Sequence, residues 1–102
     1  MGVVTIDLVA ATVFKLTLSS SVGSFSITNT NNTKINSFVL LLNISGGSVT
    51  VPWSFDVNGT PSNVKWPGGT APTLTTTSGK FDIFSFVWDG TNWFGFNGGQ
   101  NF

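Results

Sequence analysis

The 102-residue sequence predicts an all-β fold. Three observations carry that prediction. Apolar and polar residues alternate at period two in one stretch after another, the mark of strands with one buried face. Between these stretches stand clusters of Gly, Ser, Asn and Pro, the residues that turns require. No stretch carries apolar residues at helical spacing with caps. The expected architecture is a small β-sandwich, jelly-roll-like, with seven to eight short antiparallel strands in a single domain spanning residues 1–102.

Residues 3–9 open the chain with Val4, Ile6 and Leu8 alternating against Thr5 and Asp7. Residues 12–18 place Phe14, Leu16 and Leu18 on one face and Val13, Lys15 and Thr17 on the other. A serine-rich turn follows, and Phe25 with Ile27 marks a short third strand. The polar stretch Thr28-Asn29-Thr30-Asn31-Asn32-Thr33 reads as a solvated loop. Residues 35–44 are the most hydrophobic strand, with Phe38, Leu40, Leu42 and Ile44 against Ile35, Val39 and Leu41. Apolar residues on both faces imply a central strand, or one whose outer face meets another chain.

Ser45-Gly46-Gly47 supplies the positive φ of a hairpin turn into residues 48–55. Pro52 there cannot donate to a ladder and belongs at an edge or bulge. The cluster Asp56-Val57-Asn58-Gly59-Thr60-Pro61 reads as a turn leading to the loop around Trp66-Pro67-Gly68-Gly69. Proline holds the residue before it extended, so Trp66 should be extended, with the bend at the two glycines. This loop is expected to cross from the N-terminal strands to a C-terminal hairpin. That hairpin pairs residues 81–88 with 91–97 through Asp89-Gly90, a dipeptide suited to a type I′ turn.

Composition narrows the chemistry. Cys, His, Arg, Glu and Tyr are absent, and four Asp balance four Lys to zero net charge. Only 8 % of residues are charged, against about a quarter in ordinary domains. Nothing here points to nucleic acid or to an anionic membrane. The longest apolar run, residues 38–42, is too short to span a bilayer, and the first residues do not read as a signal peptide. Sparse, balanced charge favours association.

Triads built on His or Cys cannot form. Of the aspartates, Asp89 and Asp56 are explained by turns, while Asp7 and Asp82 alternate outward from strands, so no carboxylate pair is indicated for catalysis. Asp56-Val57-Asn58-Gly59 is a fragment of a calcium loop without the further carboxylates, and a plain turn is the better account. No cofactor and no metal are expected.

Trp53 and Trp88 sit in apolar alternation and read as core. Trp66 and Trp93 adjoin turns or glycine and are the candidates for exposed stacking on a ligand, together with Asn31 and Asn32 of the polar loop. Apolar residues on both faces of the last hairpin and of residues 35–44 need cover that one small interior cannot give. A symmetric oligomer, first of all a trimer, would provide it.

The stretch Val64-Lys65-Trp66-Pro67-Gly68-Gly69-Thr70-Ala71-Pro72-Thr73-Leu74-Thr75-Thr76-Thr77, followed by Gly79-Lys80 and Asp82, resembles a β-rich module of virion surface proteins of tailed bacteriophages. The module is familiar from tail-fibre-like and decoration proteins of phages of marine and cyanobacterial hosts. Trp93-Phe94-Gly95-Phe96 and Gly99-Gln100-Asn101-Phe102 also look like its end, so the likeness covers about two-fifths of the chain. Departures are the Pro52-Trp53 order where the module has Trp-Pro, and Phe94 where it commonly has Tyr.

The resemblance implies a structural, non-enzymatic role on the virion, assembled in the host cytoplasm. With no fibre shaft ahead of the module, a capsid decoration (cement) or head-fibre protein ranks first. Its expected partners are itself, as a homotrimer, and the major capsid protein or other virion proteins. Val3, Val4, Ile6, Leu8, Ile83 and Val87 are the expected subunit or shell contacts. The alternative is a tail-fibre or tail-tip module that binds a host surface glycan through Trp66, Trp93, Asn31 and Asn32. Neither role involves nucleic acid or membrane insertion.

Overall fold

The alternation in the sequence resolves into eight strands: β1 (Val3–Asp7), β2 (Val13–Leu18), β3 (Ser24–Thr28), β4 (Asn36–Ile44), β5 (Ser54–Val57), β6 (Thr60–Lys65), β7 (Lys80–Trp88) and β8 (Trp93–Gly99). The computed structural model describes residues 2–9, 12–28, 36–57 and 59–102. Among them there is no α-helix, only a 3-10 turn at Pro67–Gly69. The strands form one sheet in the order β1-β3-β5-β6-β8-β7-β4-β2, nearly closed into a barrel.

Ring contacts show the curling directly. β5 and β4 stand four places apart in the sheet, a span of about 19 Å if it were flat. Yet the ring centroids of Phe55 and Phe38 are 5.8 Å apart, and Trp93 lies 5.5 Å from Phe55 and 5.3 Å from Phe38. These side chains, with Phe25, Phe84, Phe86, Leu40 and Leu42, are fully buried or nearly so and fill the interior.

The pairing corrects the expected antiparallel, jelly-roll-like sandwich. Four pairings are parallel (β1–β3, β2–β4, β3–β5, β6–β8) and three antiparallel (β4–β7, β5–β6, β7–β8). The physical reason is that period-two alternation tells which face is buried and not which strand lies alongside. β6 holds the two parts of the sheet together, meeting β8 at only two positions, Val64↔Trp93 and Lys65↔Phe94.

Two turns differ from expectation. Ser45-Gly46-Gly47 makes no hairpin, and strand pairing resumes only at β5. The N–H groups of Ser45 and Gly46 instead both donate to the Leu18 carbonyl, at 3.2 and 2.8 Å. A Cβ at Gly46 would overlap the Ser19 carbonyl, so glycine here serves a close backbone approach. Asp89-Gly90 does begin a hairpin, but its loop spans residues 89–92 between the paired Trp88 and Trp93. Asp89 keeps a negative φ, which a type I′ turn forbids. Its carboxylate accepts from the N–H groups of Thr91 and Asn92 at 2.8 and 2.7 Å, making an Asx-turn.

The two-residue hairpin lies elsewhere. Val57 pairs with Thr60 across residues 58–59, so what reads as a turn cluster hides the start of β6. Pro61 is tolerated within β6 because β8 does not reach that far, leaving one side of the strand unpaired where Pro lacks its N–H. The proline loop behaves as its sequence predicts. Trp66 is extended (φ −114°, ψ 152°), Gly68 and Gly69 take positive φ, and Gly69 N–H closes the bend on the Trp66 carbonyl at 2.9 Å.

Candidate functional site

Three places on this framework bear on function: a buried carboxylate, an apolar outer face and an opening at one end of the barrel. Asp82 lies on β7 with Phe84, Phe86 and Trp88, the inward parity, and it is buried. The expectation that it alternates outward is corrected by that same parity, since residues two apart share a face. Its Oδ2 accepts from Thr75 N–H at 2.8 Å and from the Gln100 amide at 3.1 Å. Its Oδ1 accepts from the Thr75 hydroxyl at 2.7 Å and from Asn101 N–H at 3.0 Å. Desolvation alone would raise the carboxyl pKa. The hydrogen bonds from Thr75, Asn101 and Gln100 outweigh it and hold the pKa below its ordinary value. All four donors come from protein groups, so Asp82 clasps the 73–75 segment and the C-terminal residues to β7. It is placed as an anchor rather than as an acid or base.

The tryptophans divide differently from their sequence reading. Trp93, expected as an exposed stacking contact, is 0 % exposed, because β8 pairs it with Val64 and Trp88 and turns its ring to the interior. Trp66 is half-buried and packs edge-on against Trp53 at 5.1 Å and Phe86 at 5.7 Å. A Cβ at Gly95 would meet the Trp66 ring at 2.8 Å, so that glycine is the space the indole needs. Asn31 and Asn32 lie outside the described residues.

Of the expected contact residues, Ile6 is 1 % exposed and belongs to the core, since the inward parity of β1 falls on it. Val3 is exposed, Val4 and Leu8 are half-buried against the core, and Ile83 and Val87 are half-buried on the outer parity of β7. Cross-strand register places Ile83 beside Leu41, and Val87 beside Phe94. Val39 and Phe96 flank Ser85 in the next row. Phe94 and Phe96 are 40 % and 45 % exposed. The outer face of β4, β7 and β8 therefore gathers Val39, Leu41, Ile83, Val87, Phe94 and Phe96 around Ser85 and Ser37. At its far end Lys15 Nζ stands 5.8 Å above the Phe81 ring.

The opening is a feature that sequence reasoning missed. Upstream of Val64, β6 parts from β8, and the tips of the β5–β6 and β7–β8 hairpins flank a cavity of about 450 Å³. Thr60, Pro61, Ser62, Trp88, Gly90 and Thr91 line it. The sequence signal that could have found it is the Asn-Gly dipeptide ahead of Thr60, a combination that favours a tight turn and a strand from Thr60 on. Trp88 is buried, and its indole N–H, like those of Trp66 and Trp93, has no acceptor among the described residues.

Among the described residues no group of three or more Asp, Glu, His or Cys side chains could hold a metal ion. Comparison with protein-family models, with curated proteins and with solved structures finds no match to this chain.

Proposed function

We propose that this protein is a non-enzymatic building block of a bacteriophage virion surface, first of all a capsid decoration or head-fibre protein that assembles as a homotrimer. The observation that carries the reading is the apolar outer face of β4, β7 and β8. A barrel already filled by its own aromatics has no internal use for Ile83, Val87, Phe94 and Phe96, and such a patch fits a protein partner. Sparse charge supports the same reading, because little desolvation of ionised groups opposes burial of this surface. Ile83 and Val87 then serve as subunit contacts, with Val3, Val4 and Leu8 at the β1 edge facing a sister copy or the major capsid protein.

The test is the mass of the purified protein in solution, followed by sedimentation with capsids that lack it. A trimer that pellets with capsids is expected. Ile83→Lys combined with Val87→Lys should leave the fold intact and abolish the trimer. A wild-type monomer that ignores capsids would remove the proposal. The second reading, contact with a host glycan, is favoured by one observation, the unpaired opening beside Trp88.

A further inference from the structure

We propose that the mouth of the barrel between the β5–β6 and β7–β8 hairpin tips is a binding site for a neutral glycan. The inference deepens the receptor-contact reading and is independent of the assembly reading.

The geometry begins with β6. Thr60 and Ser62 share the parity of the buried Val64, so their hydroxyls lie on the interior side of the strand, at the barrel's open end. Neither hydroxyl, nor that of Thr91 across the opening, has a protein hydrogen-bond partner among the described residues. Pro61 presents a ring and no N–H on the strand between them. Trp88 lies beneath, its ring 5.1 Å from that of Trp93, and both indole N–H groups are unmatched. Buried indoles ordinarily find an acceptor, and that of Trp88, which lines the opening, has none among the described residues.

Barrel mouths are favoured ligand positions, and about 450 Å³ lies within the range of small-ligand sites. The lining selects the chemistry. It has hydroxyls that can both donate and accept, apolar ring surface, and no ionisable side chain. Of the two carboxylates that adjoin the lining, Asp89 is turned into its own loop by Thr91 and Asn92, and Asp56 lies on the outer parity of β5. A phosphate, sulfate or carboxylate would find no cation here, and a purely apolar ligand would strand the hydroxyls. A polyhydroxylated, uncharged sugar satisfies both constraints.

The four indole N–H resonances of the intact, isotope-labelled protein give a direct readout. Malto-, cello- and manno-oligosaccharides of several units are titrated to millimolar concentration, beside sialyllactose and heparin fragments as anionic probes. The expected result is a saturable shift of the Trp88 and Trp93 resonances with a neutral sugar, while Trp53 and Trp66 stay still. Thr60→Ala and Ser62→Ala should each weaken binding about three- to tenfold. Their unchanged spectra without sugar would show that the fold persists. Shifts that fall only on Trp66, or that come only with the anionic probes, overturn this site and leave a glycan contact elsewhere standing. No shift with any sugar removes both.

Discussion

Two three-strand parts of the sheet are built by different rules, although both edge strands, β1 and β2, pair in parallel. The part running β8-β7-β4 is antiparallel, with a nine-residue ladder between β4 and β7 from Asn36↔Trp88 to Ile44↔Lys80. The part running β1-β3-β5 is parallel, with ladders of five and three residues. Both bury fully enclosed side chains, Phe86 and Phe84 in one, Phe25 and Ile27 in the other. The long part carries an outer face that is apolar as well. The short part alternates apolar and polar residues, and its outward positions include Ser24, Ser26 and Asp56. That division reverses the usual one, in which parallel strands are covered on both faces and antiparallel sheets keep one face wet.

The sharpest way to break the comparison is Phe86→Ala. Phe86 is fully buried and its ring lies within 6 Å of those of Phe38, Trp53, Phe55 and Trp66. The expected loss is about 3–5 kcal/mol by denaturant unfolding, because so many neighbours cannot close the void together. Phe25→Ala in β3, equally buried but with its ring against Phe55 alone, should cost less, about 3 kcal/mol. Equal losses at the two positions would mean that the long part is not the stronger one.

Asp82→Asn comes next, at about 1.5–3 kcal/mol, since the amide returns a donor to partners that are themselves donors. The pH dependence has a fixed sign. The Asp82 pKa is lowered on folding, so its stabilisation is complete above the unfolded value of 3.8 and is lost as pH falls through the folded value. The lowered pKa of exposed Asp89 acts in the same direction, through the N–H groups of Asn92 and Thr91. Comparing wild type with Asp82→Asn at pH 7 and pH 2.5 isolates Asp82. The gap between the two proteins should narrow at the lower pH, and a constant gap would contradict the clasp.

Gly95→Ala should have the smallest effect, about 1–3 kcal/mol from overpacking against Trp66 and Val64. It also sharpens the comparison, because it strains the junction of β6 and β8 where the two parts meet. A thermal melt showing two separated transitions in this variant would mean that the parts fold apart. One transition is expected.

Legibility in the sequence followed the same division. Strands β1 to β4, β7 and β8 were readable from alternation, and the extended Trp66 with its glycine bend from proline chemistry. β6 was not, because Pro61 and the polar Thr60, Ser62 and Asn63 lack the apolar pattern, and only the tight turn at 58–59 could have revealed it. Strand order was not readable either, since parallel partners such as β2 and β4 are separated by 17 residues of intervening chain. For the site, Ile83 and Val87 were legible as residues of the outer parity of β7. Trp93 adjoins a turn yet pairs across the sheet with the buried Trp88, so nearness to a turn does not make it exposed. The mouth of the barrel was illegible because it depends on where β6 stops meeting β8.

The order of the strands also sets a timetable. Only β5–β6 and β7–β8 join strands adjacent in the chain; the other five pairings wait for distant segments to meet. Hairpins can close in about 1–10 µs, but sheets dominated by non-local pairing mature in milliseconds to seconds. The two hairpins should therefore form early, and the outermost strands β1 and β2 close last. During that interval the apolar faces of β4 and β7 stand open to every other nascent copy. Refolding yield should therefore fall as protein concentration rises, because those faces can meet another copy before the barrel closes.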